Sequence, residues 1–97
     1  MKLAEGYKLE EAGNEARVNE ARVLKRPNGY VLATFGSGVR HKNIQRIAEA
    51  DKKQVQAIKA QSKFGLEADP ETIAMFKQAV REARAEYLHA LEATYRE

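Results

Sequence analysis

Residues 22–35 read RVLKRPNGYVLATF, and the turn at the middle of this stretch decides the fold around it. Pro27 has the φ angle that the second position of a turn requires, and Asn28 tolerates the third position. Gly29 accepts the left-handed conformation that closes a three-residue hairpin loop with a bulge. Because alternating residues that suit a strand flank the turn, the stretch predicts a β-hairpin.

The loop length also predicts the register of this hairpin, with Arg26 opposite Tyr30 and an unbroken ladder beyond them. Since side chains alternate between the two faces of a strand, each face then has a defined set of residues. The face expected against the core contains Ala21, Val23, Val31, Ala33 and Phe35. The opposite face contains Arg22, Leu24, Arg26, Tyr30 and Leu32.

Residues 1–20 give a weaker signal. The Gly-Asn pair at 13–14 favours a second tight turn, which would place Leu9 opposite Val18. The same turn would place Glu10 opposite Arg17. A short helix over these residues is the alternative, because Glu, Ala and Arg favour that state. We prefer the strand.

From Val39 onward the apolar spacing changes to that of a helix. Ser37 can cap the start of this first helix and Gly65 can end it. The stripe expected to face the core contains Ile44, Ala48, Asp51, Val55, Ile58 and Ser62.

The start of a second helix is marked by the sequence Asp69-Pro70-Glu71, which supplies an N-cap, a proline in the first turn and an acid beside it. Its stripe contains Ile73, Phe76, Val80, Ala83, Tyr87, Ala90 or Leu91, and Thr94. Both predicted helices are about 26 residues long, or roughly 40 Å. Equal lengths across a short loop predict an antiparallel pair.

The chain of 97 residues therefore predicts one α+β domain. Residues 1–36 form a small antiparallel sheet, either a hairpin or a three-stranded meander, and residues 37–97 form a long antiparallel helical hairpin. Two helices cannot bury a core from one stripe each. The hairpin must therefore pack on the sheet or on another subunit.

Asp51 lies at the centre of the first helix's apolar stripe. Counting antiparallel pairs about the loop places it near Ala83 and Arg84, which predicts an Asp51–Arg84 ion pair. A polar residue at such a seam commonly fixes register or oligomeric state at some expense of stability. Asp51→Leu is accordingly expected to raise the melting temperature.

Composition argues against several function classes. The sequence has no cysteine, so disulfides, thiolate metal sites and thiol nucleophiles are excluded. Glu86 and His89 form one Glu-x-x-His motif, whereas a di-metal carboxylate site needs two such motifs and two more glutamates. Ser37 and His41 lack an acid to orient the histidine. No apolar run approaches the roughly 20 residues that cross a bilayer. We expect a cytoplasmic protein that is not an enzyme and uses no metal or cofactor.

Basic residues are concentrated in the middle of the chain. Residues 36–65 contain seven basic and two acidic side chains, whereas residues 66–97 contain four and seven. Pairing between a basic first helix and an acidic second one explains part of this asymmetry. The alternative is sequence-independent nucleic-acid binding. The residues that would contact an anion or a nucleic-acid backbone are Gly36, Ser37, Gly38, Arg40, His41, Lys42, Arg46 and Lys53.

Excess apolar residues favour a protein partner instead. Clusters of aromatic residues and leucine with neighbouring arginines are typical of protein interfaces. The residues predicted to contact the partner are Tyr30, Leu32, Tyr87, Leu88, Leu91, Tyr95, Arg22 and Arg26. We therefore predict a non-enzymatic binding module, a small regulator, inhibitor or assembly factor. The expected partner is an acidic protein or a second copy in a dimer, and a phage or mobile-element origin would fit the size.

Overall fold

The computed structural model describes residues 2–11, 22–36, 38–64 and 68–95. Three strands precede two helices, and the sheet is antiparallel with the order β1-β2-β3. The elements are β1 Lys8–Glu11, β2 Arg22–Lys25, β3 Val31–Phe35, α1 His41–Phe64 and α2 Pro70–Tyr95. The predicted α+β arrangement is confirmed, with the meander as the form of its sheet.

The predicted turn between β2 and β3 is present. Gly29 has a φ of 89°, and its N–H donates to the Arg26 carbonyl at 2.9 Å. The Arg26 N–H donates to the Tyr30 carbonyl at 2.9 Å, and the Asn28 side chain accepts from the Tyr30 N–H at 3.0 Å. Each of these residues therefore has the role that its chemistry predicts.

The predicted ladder beyond this turn is wrong by one residue. Lys25 lies opposite Val31 as expected, but Leu24 lies opposite Ala33, and Leu32 is the extra residue in β3. A bulge of this kind shifts the pairing of every later residue. The expected faces are therefore wrong for β2, because Arg22 and Leu24 share a face with Ala33 and Phe35, which are on the core face as predicted.

The shift places Leu24 on the face that meets the helices. Arg22 comes opposite Phe35, and Leu24 and Phe35 are fully buried in the core. Because alternate residues share a face, Arg22 and Arg26 point toward the helices with Leu24. Val23 is also buried, so β2 is covered on both faces.

Strand β1 forms where it was preferred, but its predicted pairing is wrong. It pairs with β2, so that Leu9 lies opposite Leu24 and Glu10 lies opposite Val23. This register places Leu9 beside a buried leucine and allows Lys25 to contact Glu10 at 2.9 Å. The turn predicted at 13–14 lies outside the described residues.

Both helices are present, although α1 begins two residues later than predicted and has 24 residues. The Arg40 carbonyl accepts from the N–H groups of Asn43 and Ile44, which identifies Arg40 as the N-cap. The predicted cap Ser37 and the predicted end Gly65 lie outside the described residues.

Helix α2 has the predicted start. The Asp69 carboxylate accepts from the Thr72 N–H at 2.8 Å, and this bond lowers the pKa of Asp69. The predicted stripe faces α1, with Ala83, Ala90 and Thr94 buried.

The sheet covers only the inner half of the helical hairpin. The core joins Leu24 and Phe35 of the sheet to α1 and to Ala90 of α2. Among the side chains that the structure describes, none in α1 beyond Gln54 is buried, and none in α2 before Ala83 is buried. In the part of the chain that the structure describes, the outer half therefore consists of two helices without a third layer.

The N-terminal arm is fastened to the hairpin turn by a close contact at Gly6. The Tyr7 N–H donates to the Ala4 carbonyl at 3.0 Å, and Gly6 has a φ of 82°. A Cβ at Gly6 would lie 2.8 Å from the Cγ of Pro27. Gly6 thus satisfies both a left-handed backbone and a tight contact.

Gly6→Ala should destabilise the fold more than Gly29→Ala. Both glycines have positive φ, which costs about 1 kcal/mol for alanine, but a Cβ at Gly29 would meet open space. The clash at Gly6 should add about 1 kcal/mol or more. Urea unfolding of the two variants measures this difference, and equal losses would contradict the close contact.

Candidate functional site

A buried carboxylate holds the inner half of the molecule together. Asp51 has 0% exposure and accepts four hydrogen bonds from three side chains. The Arg26 guanidinium donates to both carboxylate oxygens at 2.8 Å, and the Tyr7 hydroxyl donates at 2.7 Å. Gln54 donates at 3.1 Å. The predicted Asp51–Arg84 pair is therefore wrong, because the bulge turns Arg26 inward.

Electrostatics make this cluster a fixed ion pair. Burial alone would raise the pKa of Asp51, but the hydrogen bonds from Arg26 and Tyr7 outweigh it and the pKa is lowered. Burial and then the bond to Asp51 raise the pKa of Tyr7, and the bond to Asp51 raises that of Arg26. Asp51 and Arg26 are therefore charged and Tyr7 is neutral at neutral pH.

These contacts change what is expected of Asp51→Leu. The predicted gain in stability assumed an aspartate at a seam between two helices. In the structure, leucine would leave the donors of Arg26 and Tyr7 without the carboxylate. Losing one partner of a buried ion pair is strongly destabilising, so we expect this substitution to lower the melting temperature.

A cavity of about 270 Å³ adjoins this cluster. Its walls come from three segments that are far apart in sequence, namely the N-terminal arm at Tyr7, the hairpin turn and α1. The residues that matter below are Tyr7, Arg26, Pro27, Lys52, Val55 and Lys59, and Glu5 also lines it. Sequence analysis missed this cavity and the role of Tyr7, which has no distinguishing pattern around it.

Most of the predicted partner-contacting residues lie at the sheet and the C-terminal part of α2. We call Tyr30, Leu32, Tyr87, Leu88, Leu91 and Tyr95 the tyrosine–leucine patch. Tyr30 is 58% exposed, Leu88 47% and Tyr95 61%, whereas the other three pack partly against the core. Leu88, Leu91 and Tyr95 line a shallow hollow with Glu92.

One hydrogen bond joins the C-terminal part of the patch to the sheet. The Tyr95 hydroxyl donates to the Thr34 carbonyl at 3.2 Å, which fixes the end of α2 beside β3. The pKa of Tyr87 is raised by burial first and by Asp51 second, with smaller contributions from Tyr95 and Tyr30. The Tyr95 contact therefore places the end of α2 beside the strand that contains Leu32.

The two arginines predicted at this interface have intramolecular partners. Arg26 binds Asp51, and Arg22 donates to the carbonyls of Gly36 at 3.1 Å and Val39 at 2.7 Å. The loop before α1 therefore turns these two carbonyls toward a cation of the chain itself.

The residues proposed for anion or nucleic-acid binding lie in the loop before α1 and along α1. Arg40, His41 and Lys42 are exposed at the start of α1. Lys53 forms an ion pair with Glu86 of α2 at 3.2 Å. Gly36 and Gly38 belong to the loop held by Arg22, Arg46 is exposed on α1, and Ser37 lies outside the described residues. Nucleic-acid binding stays a prediction.

Within the described ranges, no group of three or more His, Asp or Glu side chains is arranged to hold a metal ion. In the same ranges, neither helix is both long and apolar enough for a membrane span. The chain matches no protein-family model, and no curated protein or solved structure is significantly similar to it. Its function is therefore argued from geometry.

Arg26→Ala should destabilise the protein by about 3 kcal/mol, because it leaves the buried Asp51 carboxylate uncompensated. Tyr7→Phe should cost about 1 to 2 kcal/mol. Arg84→Ala is the matched control, since Arg84 is exposed, and should stay within about 0.5 kcal/mol. Urea unfolding tests all three, and a larger loss for Arg84→Ala would restore the predicted helix-to-helix pair.

Stability should fall in acid partly through Asp51. Its folded pKa is lowered, so its contribution is present above the ordinary aspartate value of about 3.9 and is lost as pH falls through the folded pKa. The difference in unfolding free energy between wild type and Asp51→Asn should therefore shrink below about pH 4. Glu10 and Asp69 also have lowered pKa values, but both proteins share them. A difference that is constant with pH would contradict this assignment.

Proposed function

We propose that this chain is a non-enzymatic protein-binding module that self-associates through the tyrosine–leucine patch. The observation that carries the proposal is the exposure of Tyr30, Leu88 and Tyr95, each about half or more, in one region of the surface. Large apolar and aromatic side chains clustered in this way are typical of interfaces.

The charges near the patch favour a second copy as its occupant. Arg22 and Arg26 are engaged inside the chain, so they are not available to attract an acidic protein at this surface. Glu92 is the one charged residue among the described residues that line the hollow. A patch of tyrosine and leucine with a single described carboxylate can meet its own copy about a two-fold axis with little repulsion between like charges.

The chemistry of the buried cluster supports a role without catalysis. Asp51 is the most enclosed titratable group among the described residues, and its carboxylate is occupied by Arg26, Tyr7 and Gln54. The shifts at Asp51 and Tyr7 both move their pKa values away from neutrality. A general acid or base works best with a pKa near the operating pH.

Leu88→Glu and Tyr95→Glu should each shift the protein from dimer toward the monomer mass of 10.9 kDa, because each buries a carboxylate in the apolar contact. Met75→Glu is the control, since Met75 is 71% exposed and lies outside the patch. Light scattering coupled to size exclusion measures the mass, and circular dichroism checks the fold. A monomeric wild type at every concentration, or equal dissociation in all three variants, would refute self-association through this patch.

A further inference from the structure

The apolar stripes of both helices continue beyond the sheet. Steps of three and four residues keep side chains on one side of a helix, so Val55 and Ile58 follow Asp51 on the side that faces the sheet. In α2, Val80, Phe76 and Ile73 precede Ala83 in the same way. We call these five residues the outer groove.

The outer groove is open because the sheet ends beside it. Pro27 of the hairpin turn and Val55 of α1 both line the cavity. No residue of the three described strands lines it. None of the five groove residues is buried, and Ile58 is 44% exposed, whereas Asp51 two turns earlier is fully enclosed. The cavity and the groove therefore meet at Val55.

Basic side chains line both sides of the groove. Lys52 and Lys59 line the cavity from α1, and Lys77 and Arg84 are exposed on α2. At about 100° per residue, Lys77 and Arg84 lie on one side of α2, with Glu82 on the opposite side. None of the four cations makes an ion pair with another described residue. Glu5 is the one acidic residue among the described residues that line the cavity.

We propose that the outer groove and its adjoining cavity bind an acidic amphipathic helix of a partner protein. Its apolar face would cover Val55, Ile58 and Phe76, with one side chain entering the cavity beside Pro27. Helix-in-groove binding uses anchors at helical spacing in this way. Lys52 and Lys59 are seven residues apart, about 10.5 Å along α1, and would pair with acids at the same spacing in the partner.

The four cations beside the groove, together with its apolar residues, favour an acidic helix over a second copy of the chain or a nucleic acid. A second copy docked face to face would bring four cations of each chain against four of the other, which is unfavourable. A nucleic acid would have the charge that complements the four cations. The groove between them is aliphatic, however, and favours a partner that can bury leucine-like side chains there. This site shares no residue with the tyrosine–leucine patch, so either can fail alone.

The test uses two synthetic 18-residue amphipathic helices that share a leucine stripe. One has glutamates bordering the stripe at seven-residue spacing, and the other has lysines in their place. Fluorescence anisotropy measures their affinity for the full chain. The acidic peptide should bind and the basic peptide should not.

Lys52→Glu/Lys59→Glu should lower the affinity for the acidic peptide at least tenfold and allow the basic peptide to bind. Lys42→Glu/Arg46→Glu makes the same change in net charge on the exposed start of α1 and should alter affinity less than twofold. Tyr95→Glu, which changes the tyrosine–leucine patch eleven residues from Arg84, should leave peptide affinity unchanged. Circular dichroism confirms that each variant is folded.

Three results would overturn the proposal. Equal weakening by the two double variants would show attraction by net charge alone. Binding of random duplex DNA that is lost only in Lys52→Glu/Lys59→Glu would assign the site to nucleic acid. Dissociation of the dimer by Ile58→Glu in the absence of peptide would assign the groove to a second copy.

Discussion

The fold depends on one charge removed from water. Asp51 is enclosed at the middle of α1, and a buried carboxylate is tolerated only when it is paired and fully hydrogen-bonded. Arg26, Tyr7 and Gln54 supply those bonds from the hairpin, the N-terminal arm and α1 itself. The carboxylate thereby joins three segments that bury little apolar surface against one another. Apolar burial alone could not hold them together in a domain with so thin a core.

That arrangement also determines which parts of the surface stay open. The sheet is held over the inner half of the helical hairpin, so no described strand covers the apolar stripes of α1 and α2 beyond Pro27. At the other end, Tyr95 rests on the outer edge of β3 and Leu88 is left exposed. The two candidate interfaces therefore arise from the same mismatch between a short sheet and long helices.

Local chemistry in the sequence predicts the elements but not how they meet. The turn at Gly29, the cap at Asp69 and the helical stripes depend on near neighbours, and each is present. The bulge at Leu32 depends on packing across the sheet, and it reversed the side on which Arg26 lies. The cavity could not be foreseen, because its walls come from three distant segments. Exposed residues such as Leu88 were easier, since an apolar excess on one helix face is visible in sequence.

The separation of the bonded residues along the chain has a kinetic consequence. Arg26 lies 25 positions from Asp51 and Tyr7 lies 44 positions away, whereas the β2–β3 turn is closed by near neighbours. Contacts with long loops form after local ones, since the entropy of loop closure must be offset first. We expect the hydrogen bonds of the Asp51 carboxylate to form after the folding transition state. They should therefore slow unfolding and have little effect on the folding rate.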